Sequence, residues 1–97
     1  MKKNTFTFIV NFRGGTYCTQ VQSKNVYASI PEWIRKIKQE KTQIKYLGEI
    51  TIAELEIESK NIDEIPIALF GLDNIWFAHY TTRKGSFHIN IVKTDSK

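Results

Sequence analysis

Two histidines, His79 and His88, stand in a stretch of alternating apolar and polar residues near the end of the chain. If Thr82-Arg83-Lys84-Gly85 is a four-residue loop closed by glycine, Thr81 faces Ser86 and the two imidazoles become cross-strand neighbours. A two- or three-residue turn is expected to separate them. Two neutral imidazoles are half of the ligand set that a borderline divalent metal takes, so a complete centre needs further donors. Glu54, Glu56 or Glu58 could supply one, although nothing in their spacing demands it. The same two histidines serve equally well as structural side chains on a sheet face.

Other residue types that could do chemistry lack the surroundings it requires. Cys18 with a histidine and a carboxylate would make a nucleophile set, but no sharp strand-to-helix turn or helix N-terminus lies behind the sulfur to stabilise a thiolate. Glu54, Glu56 and Glu58 recur at every second position, which on a strand lines one face with like charges and keeps an edge soluble. A catalytic acid pair instead needs two carboxyls across a cleft with separated pKa values. The adjacent glycines of FRGGTY, Phe12 to Tyr17, lead from one alternating stretch into another. A phosphate loop leads from a strand into a helix, so these glycines are read as a hairpin turn.

A run of cations offers a different function. Arg35, Lys36, Lys38, Lys41 and Lys45 contain only Glu40 as an internal counter-charge, and could track the phosphates of single-stranded RNA or DNA. The bland reading is a solvated helix face whose late lysines complement the C-terminal dipole. The net charge of +4 adds little to the choice. Eleven of the fourteen basic residues are Lys, and Ile outnumbers Leu fourteen to four, a bias that fits an AT-rich genome as well as selection for phosphate contacts, while the phrases FRGGTY and GLDNIW have the look of a small bacterial protein. The charge is also segregated: residues 1–48 carry nine basic and two acidic side chains, residues 49–73 one and seven, and residues 74–97 four and one. No RNA-recognition aromatic signature, GxxG clamp or zinc-finger spacing appears.

The elements that must position these residues follow from periodicity. Thr5 to Arg13 and Thr16 to Ser23 alternate, and a turn on Gly14-Gly15 would set Phe12 opposite Tyr17, Val10 opposite Thr19 and Phe8 opposite Val21. A helix follows from about Val26 to about Lys41, with Val26, Ile30, Trp33, Ile34 and Ile37 on one stripe. Its start is capped by Asn25 or by Ser29, with a disturbed turn near Pro31. Glu49 to Glu58 reads as a third strand with a bulge near Ala53-Glu54, because Ile50, Thr51, Ile52 and Ile57 are β-branched. Ile65 to Phe70 reads as a short edge segment or a covering loop, and Asn74 to Thr81 with Ser86 to Lys93 forms a second hairpin.

One domain over residues 1–97 is expected, of α+β class: an antiparallel sheet of about five strands with one helix on one face, in the order β-β-α-β-β-β. One helix covers one face, so function is sought on the other. The first hairpin would show Ile9, Asn11, Arg13, Cys18, Gln20 and Gln22 there, whereas the second shows Ile75, Phe77 and Val92 beside His79, His88 and Asn90. An apolar group of that kind asks for a cover, either the segment 60–73 or another subunit.

The leading expectation is a cytoplasmic, non-enzymatic interaction domain that binds a protein partner, most simply as a homodimer, through Ile75, Phe77 and Val92. It needs no cofactor and no membrane. The alternative is nucleic-acid binding through the 35–45 stretch. Third comes a small hydrolase or metal-dependent enzyme built on the His79 and His88 region. Sheet-plus-helix folds of this size serve many functions, so the fold itself does not choose.

Overall fold

The computed structural model describes residues 3–40, 44, 47–60, 66–69, 71 and 74–94. Strand β1 (Asn4–Phe12) alternates buried and outward side chains and turns directly into β2 (Gly15–Ser23). The turn is Arg13-Gly14, not Gly14-Gly15: Arg13 and Gly14 have φ of 51° and 81°, and Phe12 pairs with Gly15. Val10 therefore faces Tyr17, Phe8 faces Thr19 and Phe6 faces Val21, two residues away from the expected register. A slip of two keeps every side chain on its face, which is why the assignment of faces holds.

The local reason lies on either side of the turn. A left-handed arginine costs about 1 kcal/mol. It is offset by the Arg13 guanidinium, which donates from Nη1 to the Lys84 carbonyl oxygen at 2.6 Å in the neighbouring turn. A Cβ at Gly15 would lie 2.6 Å from Tyr17 Oη, so a larger residue there would displace the end of that half-buried side chain.

Helix α1 (Val26–Gln39) starts at Asn25, whose Oδ1 accepts the Ala28 N–H at 2.8 Å. The Asn25 cap is thus the one in use, with Pro31 inside the helix and Val26, Ile30, Trp33, Ile34 and Ile37 all buried. Replacing Asn25 with Ala removes this acceptor and is expected to lower stability by about 1 kcal/mol, readable as a shift in a urea unfolding midpoint.

The segment expected as a third strand is a second helix, α2 (Glu49–Glu58). Its buried residues are Thr51, Ile52 and Leu55, a helical spacing, and Ile44 and Leu47 ahead of it are buried as well. Ile50 and Ile57 are 67% and 69% exposed. Apolar residues on both sides of the helix blurred its period, and the apparent bulge at Ala53-Glu54 was the helical phase drifting against a strand template.

A two-residue strand, β3 (Ile67–Ala68), supplies the short edge segment, and β4 (Ile75–Thr82) and β5 (Gly85–Lys93) form the second hairpin. The sheet is antiparallel throughout, in the order β2-β1-β5-β4-β3. The α+β class and five-strand antiparallel sheet stand as expected, with two helices in place of one. Helix α1 lies over β2 and β1, and α2 lies over β4 and against α1, so both helices sit on the same face.

The core forms where the helices meet that face. Trp33 stacks on Phe8 with ring centres 5.3 Å apart and meets Phe87 edge-on at 6.3 Å, while Phe12 stacks on Phe87 at 4.0 Å. The last contact crosses from β1 to β5, joining the two hairpins through their central strands.

Candidate interaction face

Among the described residues the helices lie on one side of the sheet and leave the other side open. Its residues form rows across the strands: Gln20, Thr7, Val92 and Ile75 in one, Cys18, Ile9, Asn90, Phe77 and Ile67 in the next, and Thr16, Asn11, His88 and His79 in a third. Thr5 and Gln22 lie beyond one end, and Thr81 and Ser86 beyond the other. No Asp, Glu, Lys or Arg occurs in this set, in a chain of which 25% is charged. Arg13, expected on this face, is in the turn instead.

The face divides into two halves of different character. On β1 and β2 the polar groups satisfy one another: Gln20 Nε2 donates to Thr7 Oγ1 at 2.9 Å and Thr16 Oγ1 donates to Asn11 Oδ1 at 2.8 Å. On β4 and β5 the side chains are apolar or aromatic. Lys93 N–H donates to the Asn74 carbonyl at 2.9 Å, which makes residues 74 and 93 a hydrogen-bonded pair. By alternation Ile75–Val92, Phe77–Asn90 and His79–His88 are non-hydrogen-bonded pairs, in which Cα atoms approach to about 4.5 Å and side chains meet closely.

Ile75, Phe77 and Val92 thus share one patch, each half-buried. Two residues join them that sequence reasoning had not grouped there. Ile9 reaches the patch because β1 pairs with β5, a long-range pairing that neither hairpin announces. Ile67, 63% exposed, reaches it through β3, where it stands opposite Phe77. Among the described residues of the 60–73 segment, Ile67 and Ala68 extend the sheet sideways beside β4 rather than fold over its face.

His79 and His88 are direct partners, with ring centres 4.8 Å apart. Pairing runs on to Thr82 and Gly85 around the two-residue turn Arg83-Lys84, so a two-residue turn does not separate them. The expected carboxylates are elsewhere, because α2 is a helix. Glu54 approaches Arg83 at 3.3 Å and Glu56 approaches Lys38 at 2.7 Å, both on the helix side of the molecule. The single strand row of Glu54, Glu56 and Glu58 therefore does not exist. Among the described residues no three His, Cys, Asp or Glu side chains gather in one place. Cys18 is exposed on β2, two strands from β5, so about 10 Å of sheet lies between it and the strand that carries His88.

Each described cation of the basic stretch is engaged. Arg35 pairs with Glu32 at 2.8 Å, Lys36 donates to the Gln20 carbonyl at 3.0 Å and Lys38 meets Glu56. Lys41 and Lys45 lie outside the described residues. A groove of about 570 Å³ beside α1 is lined by Gln20, Gln22, Glu32, Arg35 and Lys36, mixing both charges with amides. No protein-family model matches the chain, and no curated protein or solved structure is significantly similar to it.

Proposed function

We propose that the protein is a non-enzymatic interaction domain that presents its open sheet face to another protein, most simply a second copy of itself. The observation that carries this reading is a continuous face without formal charge, centred on Ile75, Phe77, Val92, Ile9 and Ile67. In a two-fold contact the same patch lies on both partners, and side chains near the axis meet their own copies. A charged face would repel itself there, and the cores of protein interfaces are depleted in charge. This one is self-compatible.

Its size is sufficient. Four strands of eight or nine residues, at about 4.8 Å spacing and about 3.3 Å rise, give a flat footprint on the order of 500 Å² before side-chain relief is counted. A stable contact needs roughly 500 to 800 Å² per partner. Light scattering on a size-exclusion column is the test, and a homodimer at tens of micromolar is the expected result. A monomer at every accessible concentration overturns self-association.

In this reading the protein works in the cytoplasm; among the described residues no helix is long and apolar enough to cross a membrane. The nucleic-acid alternative has less support, since Arg35, Lys36 and Lys38 are each engaged and the open face has no cation for a phosphate. No retention of a short single-stranded oligonucleotide at low salt is expected. Retention that falls steeply with salt and is lost in Lys36→Glu or Lys38→Glu would favour that alternative.

A further inference from the structure

His79 and His88 occupy one end of the open face, where the apolar contact does not use them. We propose that they form a two-imidazole clip for a borderline divalent cation, zinc in the first instance, and that the same two side chains of a second copy complete a four-imidazole site. The second half of this statement rests on the self-association reading.

The geometry of one chain supplies the clip. The two residues are a direct, non-hydrogen-bonded cross-strand pair, with ring centres 4.8 Å apart and ring planes at 36°. Two imidazoles sharing one tetrahedral ion at a Zn–N distance of about 2.0 Å hold their ring centres about 5 Å apart. The spacing needs almost no adjustment. Among the described residues, the contacts of His88 are with the rings of His79 and Phe77 and those of His79 are with His88, so no hydrogen bond to protein occupies their nitrogens.

The surroundings select the ligand class and the remaining donors. Imidazole suits zinc, copper and nickel rather than magnesium or calcium, which take oxygen. Among the described residues, no lysine or arginine stands on the face to oppose a cation, and no carboxylate stands there to complete the set from the same chain. Asn11, the neighbour of His88 on β1, accepts the Thr16 hydroxyl with its side-chain oxygen. A second copy docked face to face brings the missing pair of imidazoles, provided that the two-fold axis runs beside the His79–His88 row. The metal would then fix the orientation of the dimer, which the apolar patch by itself does not.

The experiment is a zinc titration of the chelator-treated full chain, followed by calorimetry and light scattering, in a Cys18→Ser background that removes the thiol as a ligand. One zinc per two chains and a dimer strengthened at least 10-fold are expected. His79→Asn and His88→Asn are each expected to weaken zinc binding on the order of 100-fold while the circular dichroism spectrum is unchanged. A metal-free dimer that binds no zinc overturns the metal site and leaves self-association standing. Zinc bound one per chain, or bound equally by the asparagine variants, overturns the shared site. A monomer that neither binds zinc nor assembles with it overturns both readings.

Discussion

In the proposed self-association, Phe77→Asp combined with Val92→Glu is expected to leave monomers while the chain remains folded. Fully burying a side chain of this size contributes about 1.5–3 kcal/mol. Both are already half-buried in the monomer, so covering the rest contributes about half of that, and removing the two raises the dissociation constant by at least about 10-fold, since each 1.4 kcal/mol is a factor of ten. The new carboxylates add to this. They would be desolvated on a face whose described residues include no cation to receive them. The isolated domain is affected much less, because both positions are half-exposed and neither belongs to the buried core. Its unfolding free energy at low protein concentration should change by less than about 1 kcal/mol. Light scattering and urea unfolding on the same sample separate the two effects. An unchanged mass would place the interface elsewhere.

Trp33→Ala has the opposite signature. Trp33 is 1% exposed and lies between Phe8 and Phe87, one stacked and one edge-on. Truncating it loses both aromatic contacts and leaves a cavity under α1, at a cost of about 3–5 kcal/mol. Domains of this size have on the order of 5–15 kcal/mol in total, so the variant should be largely unfolded at modest urea concentration. Association would fail too, but only because the folded protein is lost. A cost below about 1 kcal/mol would mean that α1 does not pack on the sheet through this residue.

The contrast between these two variants follows the part of the molecule that was legible from its residues. Alternation in β1, β2, β4 and β5 assigned Phe8 to the core and Phe77 to the open face, and that survived a register error because a slip of two preserves the side. The slip itself was not legible. It goes with a left-handed Arg13, whose guanidinium reaches the Lys84 carbonyl, a contact between turns that lie 71 residues apart in sequence. Helix α2 was misread for a local reason, since Ile50 and Ile57 are β-branched and outward and hide the buried spacing of Thr51, Ile52 and Leu55. With it went the strand row of Glu54, Glu56 and Glu58. The patch was legible only in part: Ile75, Phe77 and Val92 lie on one hairpin, but Ile9 and Ile67 join through pairings that no short window contains.

The strand order β2-β1-β5-β4-β3 places β5, the last of the described elements in chain order, against β1, the first of them. While the chain is still emerging from the ribosome, β1 has one partner and an unpaired edge carrying Phe6, Phe8 and Phe12. That edge is sealed only when residues 85–93 arrive. Non-local closure of this kind is slow, and a half-built sheet with an aromatic edge is the state in which aggregation competes with folding. The chain's vulnerability is therefore one of timing. Stalling synthesis just before β5, with both helices already translated, should yield an insoluble nascent chain, and release of the final strand should rescue it.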